Sequence, residues 1–270
     1  MLIRYLTKEK FDWLLCDNGI YIGAASAQSD KNEGVYDSKI ISEVLKATNM
    51  LNLDWQKLDD INQSLMLLSR NNNYLSSWFC GEHETQEMWD EYGSDGVALI
   101  SDEISLIGTL PDPIGNAASF YKVIYDNLKK NGAIHNQLEF KEKQFQHESE
   151  FRLVVDMQRY SILTGFEKEK FGEVYVGNIP SYEDEGTTCC MSSQGKLQSH
   201  NAVKNKGTGY VISFDLDSLI KEIRLHPNCT EQSVRKINDI LNAAGHNILV
   251  KRSSLECREE GGEDGVRPYI

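Results

Sequence analysis

Apolar and polar positions recur with a clear period at both ends of the chain. Leu2-Ile3-Arg4-Tyr5-Leu6 reads as a short strand. Thr7 reads as the cap of a helix whose Phe11, Leu14 and Leu15 share one face, and Gly19 as the residue just past its end. Ile20-Tyr21-Ile22 resumes as strand, so the chain opens with a compact β-α-β unit. Residues 39–69 carry a helical repeat, through Ile40, Ile41, Val44 and Leu45 and then Leu58, Ile61, Leu65 and Leu68, which Asn71-Asn72-Asn73 breaks. Strand from Leu75 to Cys80, a short helix from Glu84 to Tyr92 and strand from Val97 to Ile100 follow. Pro111-Asp112-Pro113 with Gly115 marks a turn, and periodicity leaves Phe120 to Lys130 open between strand and helix. Phe151 to Val155 is strand again, ahead of a loop-rich region. The chain closes with strand Tyr210 to Phe214, a short helix, strand Glu222 to His226, a helix from a Thr230 cap to Gly245, and strand Ile248 to Lys251.

This pattern predicts an α+β fold: a single domain over residues 1–257, with a mixed sheet and flanking helices. Residues 180–209, rich in Gly, Ser, Thr, Asn and Lys and poor in large apolar side chains, are expected to form a long mobile loop. The acidic stretch 258–270 is expected to be a frayed tail. With 40% hydrophobic residues the 270-residue chain has ample material for a core, which excludes wholesale disorder. Clean apolar stretches such as Leu153-Val154-Val155 fall far short of the roughly 18 residues of a membrane span. The first residues lack the basic-then-apolar profile of a signal peptide. A cytoplasmic protein without a membrane association is therefore expected.

The net charge of −13 opposes non-specific contact with nucleic acid. Two stretches run against it: Lys122, Lys129, Lys130, Lys141 and Lys143, and Lys196, Lys204 and Lys206. Each is either a local basic site or solvated charge balanced by neighbouring carboxylates. The six cysteines, at 16, 80, 189, 190, 229 and 257, show no C-x-x-C spacing and are expected to be reduced thiols. No structural metal is expected. The phosphate-binding glycine loops, the G-x-S-x-G elbow and the H-E-x-x-H zinc motif are all missing.

What remains is polar residues in unusual places. Arg4 lies inside the first strand; Tyr21 and Ser26 bracket the end of the second; Ser29 to Gly34 is a polar turn after it; Met88, Trp89 and Tyr92 form an aromatic group ahead of Gly96. Phe145-Gln146-His147-Glu148-Ser149-Glu150-Phe151-Arg152 then leads into a strand. If the strand includes Glu148, alternation puts Glu148, Glu150 and Arg152 on one face and Phe151, Leu153 and Val155 on the other. Such a face is either a solvent-side salt-bridge ladder or a carboxylate pair suited to chemistry at a sugar C–N bond. Breaking that bond builds positive charge on the ribose, which one carboxylate stabilises while the other orients a hydroxyl or activates the acceptor.

In order and type these features resemble a bacterial family catalogued as a domain of unknown function. Met88-Trp89-Asp90-Glu91-Tyr92, Glu148-Ser149-Glu150-Phe151-Arg152 and the final strand-helix-strand carry the resemblance. Members usually show Phe-Asn-Asp-Pro-Phe-Glu after the second strand, where this chain keeps Asp30, Glu33 and Gly34 but not the proline. A more distant resemblance is to the ADP-ribosyltransferases, including toxins that modify nucleic acid. It implies a fold of that type, NAD as substrate, Arg4 at the ribose or phosphates, and Tyr21 or Ser26 at the nicotinamide side. It further implies Glu150 as the catalytic glutamate with Glu148 as its partner; Ala24-Ala25-Ser26 stands where many members have Ser-Thr-Ser. An RNA or protein acceptor, a toxin–antitoxin or phage-defence setting and a neutralising antitoxin or chaperone are implied with it. Two other classes stay open. One is a metal-dependent nuclease using Asp30, Glu33, Glu148 and Glu150; the other is a non-enzymatic module binding a partner through the Trp89–Tyr92 region and the 180–209 loop.

Overall fold

The computed structural model describes residues 1–28, 34, 55–112, 114–125, 137–171 and 200–255. The opening unit forms as patterned: strand β1 (Leu2–Leu6), helix α1 (Lys8–Asp17) and strand β2 (Gly19–Ala24). The Thr7 hydroxyl accepts from the Lys10 amide at the start of α1. Its left-handed end residue is Asn18, at φ 49°, rather than Gly19. Gly19 already belongs to β2, where a Cβ would collide with the Ile212 carbonyl oxygen.

Helix α2 (Trp55–Asn72) runs straight into β3 (Asn73–Cys80), so the asparagine run marks a helix-to-strand junction. The earlier half of that helical pattern, residues 39–54, lies outside the described residues. Thr85 caps α3 (Gln86–Tyr92), which precedes β4 (Val97–Ser101) and α4 (Glu103–Gly108). In the stretch that periodicity left open, β5 (Ala118–Lys122) and β6 (Ile124–Tyr125) are extended. Then come β7 (Phe140–Lys141), a 3₁₀ helix (Lys143–Glu148) and β8 (Glu150–Asp156).

The region expected to be loop after β8 is instead helical. Asp156 caps α5 (Met157–Thr164), whose Met157, Tyr160, Ser161 and Thr164 form a buried stripe at helical spacing, and α6 (Lys168–Phe171) follows. The end of the expected 180–209 loop is also ordered, as β9 (Val203–Lys206) paired with β10 (Gly209–Ser213). An edge strand can be polar because only one side is covered: Val203 is buried while Lys204 and Asn205 face outward. Residues 180–199 and 258–270 lie outside the described residues. Helix α7 (Leu216–Leu219), β11 (Glu222–Leu225), α8 (Glu231–Ala244) and β12 (Leu249–Arg252) complete the chain, with Thr230 and Gly245 capping α8. Among the described residues no helix is long and apolar enough to cross a membrane.

The fold is α+β, one domain around a mixed sheet that, among the described residues, has ten strands and is antiparallel except where β11 meets β12. Its main path runs β12-β11-β4-β1-β3-β2-β10-β9, with β8 pairing β3 and β5 pairing β8. Strand β8 takes one whole edge of β3, from Asn73↔Asp156 to Phe79↔Glu150. A strand has two edges, so β1 and β2 must share the other. Strand β1 holds its far end, Leu2↔Cys80 and Ile3↔Phe79, and β2 its near end, Gly23↔Leu75 and Ala24↔Tyr74. Between them Ser76, Ser77 and Trp78 have no strand opposite on that edge. The sheet forks there: β1 leaves to pair fully with β4, β2 to pair with β10, and α1 bridges the two branches.

Register also sorts the faces. Leu2, Arg4 and Leu6 share one with Ser76, Trp78, Ile20 and Ile22; the apolar members join Phe11, Leu14, Met157, Tyr160 and Leu241 in the main core. The other face carries Ile3, Tyr5, Tyr21, Ser77, Phe79, Glu150 and Arg152, with Met88 and Trp89 of α3 packed on its β1 branch. The tight β2–β10 approach gives a direct expectation. Gly19→Ala should cost about 1–3 kcal/mol through overpacking against backbone, read as a lower midpoint in urea unfolding with an unchanged m-value.

Candidate active site

The fork opens into a slot of about 390 Å³. Its lining includes Arg4, Tyr21, Glu148 and Glu150, four residues the sequence singles out from three distant segments. Ser26 is not among them: it sits half-buried in the 3₁₀ turn Ala25–Ala27 beyond the end of β2. Met88 and Tyr92 line the slot, whereas Trp89 is core, its indole N–H donating to Glu84 at 3.1 Å and its ring edge-on to Tyr5. Asp30 and Glu33 lie outside the described residues.

Arg4 spans the fork. Its Nη1 donates to the Ser76 hydroxyl on β3, and its Nη2 to the Tyr21 carbonyl on β2 at 2.9 Å, with Trp78 in cation–π range at 5.8 Å. Among the described residues no carboxylate pairs with it, and burial alone pulls the guanidinium down to about 10, still charged at neutral pH. The Trp78 indole N–H, on the same strand as Ser76, is buried without an acceptor among the described residues.

On the opposite face the aromatic ring of Tyr21 leans over a pair of facing glycines. Gly23 pairs with Gly209, and a Cβ on Gly209 would strike both the Ile22 carbonyl and the Tyr21 ring. The Tyr21 hydroxyl meets Thr208 Oγ1 at 3.3 Å, so the β9–β10 hairpin holds a ring that remains 37% exposed.

The Glu-x-Glu segment departs from a simple strand. Glu148 ends the 3₁₀ helix, Ser149 turns through a left-handed φ of 39°, and only Glu150 begins β8. The two carboxylates still converge, because Lys141 lies between them: its ammonium contacts Glu148 Oε2 and donates to Glu150 Oε1 at 2.7 Å. Arg152 Nε donates to Glu150 Oε2 at 2.5 Å and its Nη1 to the Leu138 carbonyl at 2.8 Å. Tyr92 donates to Glu148 Oε1 at 2.9 Å. A solvent-side ladder is therefore ruled out: Lys141, Glu148, Glu150 and Arg152 are all buried, Arg152 at 0% exposure. Lys141, one of the clustered lysines, is an internal counter-ion rather than surface charge.

Burial pushes the Glu148 carboxyl up to about 7, and Glu150 alongside adds to the rise against the pull of Lys141. The same burial would raise Glu150, but its hydrogen bond with Glu148 and the charges of Arg152 and Lys141 hold it far below the carboxylate range. At neutral pH one carboxylate is firmly ionised and the other is poised to exchange a proton.

Glu91, His147 and Glu148 bring potential ligand atoms within 4.8 Å of one another. His147 faces Glu91 at 3.2 Å; its slight burial lowers its pKa, but Glu91, Glu87 and Glu148 raise it on balance, which favours the charged form beside Glu91. Cys16, Cys80 and Cys229 are unbridged; Cys189, Cys190 and Cys257 lie outside the described residues. No family model, curated protein or solved structure matches this chain.

Several lining residues are not singled out by the sequence pattern. Ser76-Ser77, a small polar pair inside an otherwise buried strand, was a legible signal; Lys10, Trp13 and Asp17 offered none beyond ordinary helix surface, and Lys206 stood out only as a member of the basic stretch Lys196, Lys204 and Lys206. Lys141 gives the test of the charge cluster. Lys141→Met leaves Glu148 without a cation and Glu150 with Arg152 alone, and should cost about 3–5 kcal/mol at pH 8. Without the ammonium both carboxyls titrate higher, so protonation relieves the penalty on the acid side. Denaturant melts at pH 8 and pH 5 should therefore show the deficit shrinking as pH falls.

Proposed function

We propose that this protein is an NAD-consuming mono-ADP-ribosyltransferase that modifies nucleic acid, RNA in preference to protein. The observation carrying this reading is the convergence of Arg4, Tyr21, Glu148 and Glu150 on one slot whose ends differ in charge. At the α1 end Arg4, Lys10 and Lys206 outnumber Asp17, which suits a pyrophosphate. At the other, carboxylate oxygens matched by their own cations face the slot, which suits a ribose on which positive charge develops. The chain order of these residues agrees with the ADP-ribosyltransferase resemblance.

The residues present fit NAD: a guanidinium without a carboxylate partner among the described residues, a part-exposed tyrosine ring, and an ionised carboxylate on the same sheet face as that ring. The bond that breaks joins the ribose C1′ to nicotinamide, and the bond that forms joins C1′ to the acceptor. Arg4 holds the phosphates, and Tyr21 packs against the nicotinamide. Glu150, kept ionised by Arg152 and Lys141, stabilises the cation-like ribose with the lone pairs its two partners leave over. Glu148 takes the proton that the acceptor loses. Two neighbouring carboxyls with pKa values pushed apart make this division of labour available. A transferase acting freely on cellular RNA would harm its host, so we place it in a bacterial toxin–antitoxin or phage-defence setting with a neutralising antitoxin or chaperone.

A metal-dependent nuclease is favoured by one observation, the grouping of Glu91, His147 and Glu148. A divalent ion there would have to sit beside the Lys141 ammonium, which already contacts Glu148.

Purified protein should release nicotinamide from NAD in the presence of cellular RNA, and Glu150→Gln should lower the rate by about 10²- to 10⁴-fold. As a base Glu148 works only when ionised, so kcat/KM should rise with pH through about 7, and Glu148→Gln should flatten that limb. EDTA should change neither. NAD left intact with RNA, DNA and lysate, together with no calorimetric sign of NAD binding, would sink the transferase; nucleic-acid cleavage abolished by EDTA would install the nuclease.

A further inference from the structure

The α1 mouth of the slot contains a constellation that the transfer chemistry does not use. Lys10, Trp13 and Asp17 follow one another at helical spacing along the flank of α1 that borders the cavity. Trp13 is 44% exposed, unusual for the largest aromatic side chain in a helix that otherwise buries its apolar stripe, Phe11 and Leu14, in the core. Lys206 reaches over from the β9–β10 hairpin, its ammonium 5.7 Å from the Trp13 ring and bonded to the Asp17 carboxylate at 2.5 Å. Lys10 has no carboxylate partner among the described residues. Deeper along the same wall stand Arg4, also without one, and the orphaned indole N–H of Trp78.

We propose that this mouth is a nucleotide-binding subsite, in which a nucleobase stacks on Trp13 and its phosphate lies between Lys10 and Arg4. An exposed indole offers a flat π surface that any base can cover. Among the described residues neither cation is held in an ion pair, so both are available to a phosphate. Asp17, fixed by Lys206, presents an acceptor to an exocyclic amine or a ribose hydroxyl. In a chain of net charge −13, a cationic wall beside an exposed aromatic is a local exception that favours a ligand both planar and anionic. The subsite deepens the transferase reading and rests on it for the choice of a dinucleotide as occupant. The nucleotide bound there has two possible sources, the adenylate half of NAD or one residue of an acceptor strand.

Calorimetry on the full chain with AMP, nicotinamide mononucleotide and a short oligoriboadenylate as probes tests it. AMP should bind the wild type. Trp13→Ala should weaken AMP about tenfold or more, the scale of one lost base–aromatic stack, while leaving nicotinamide mononucleotide within about twofold. Trp13→Phe, which keeps a ring, should retain most of the affinity, and Lys10→Ala should weaken AMP but not adenosine. Competition separates the sources: NAD displacing AMP while the oligonucleotide does not assigns the adenylate of NAD, and the reverse assigns the acceptor strand. Failure of AMP to bind, or equal AMP affinity in wild type and Trp13→Ala, overturns the subsite. Nicotinamide release with the KM for NAD and the KM for RNA both unchanged in Trp13→Ala also overturns it while leaving the transferase standing. AMP binding that depends on Trp13 in a protein that never cleaves NAD would do the opposite, keeping the subsite and removing the transferase.

Discussion

A β-strand has one hydrogen-bonding edge on each side, and on β3 two strands occupy the same one. Strand β8 fills the far side along its length, so β1 and β2 divide the near side, each holding two residue pairs. Beyond those pairs both strands diverge from β3, β1 running along β4 and β2 along β10. The gap is thus a compromise between ladders, and Arg4 spans it with hydrogen bonds to one atom on β3 and one on β2. A half-buried guanidinium bonded to a hydroxyl and a carbonyl places a positive charge in the lining of the cavity. That leaves the fork with an electrostatic character as well as a shape.

The opposite face solves a different problem. Two carboxylates and two cations are buried within a few bonds of one another, an arrangement that costs desolvation and is sustained only by mutual pairing. The parallel pairing of β6 with β7 sets Tyr125 beside Lys141, and the Tyr125 hydroxyl accepts from the Glu150 amide at 2.7 Å. Tyr92 arrives from α3, Lys141 from β7, Glu148 from the 3₁₀ helix and Glu150 from β8. Four elements therefore depend on one charge balance, and the unequal proton affinities of Glu148 and Glu150 follow from the hydrogen bond between them together with Arg152, which pairs with Glu150 alone.

Where an element is decided locally, the sequence was a good guide. The β1-α1-β2 opening, the Thr230–Gly245 helix and the α+β class follow from alternation, caps and period. Arg4, Tyr21, Glu148 and Glu150 stood out because a polar group in a strand or a carboxylate pair is locally odd. The fork was illegible because it arises from pairings such as Leu2↔Cys80 and Gly23↔Leu75, between segments far apart in the chain. The same distance hid Lys141, whose partners lie in the next element, and Trp13, whose neighbour Lys206 is contributed by a hairpin near the other end. Ser26 is absent from the slot's lining for a local reason: β2 ends at Ala24, and the serine sits in the 3₁₀ turn that follows.

Tyr21 resting over the Gly23–Gly209 pair has a consequence for the thermodynamics of association. A side chain seated on a glycine bed, tied at its hydroxyl and walled by strands, has little rotational freedom left to lose. The entropy that a flexible aromatic would surrender on contact with a ligand has already been spent during folding, when β10 closed against β2. Affinity at that wall should be governed by how well the incoming surface matches a shape set in advance, and selectivity among similar ligands should be correspondingly sharp.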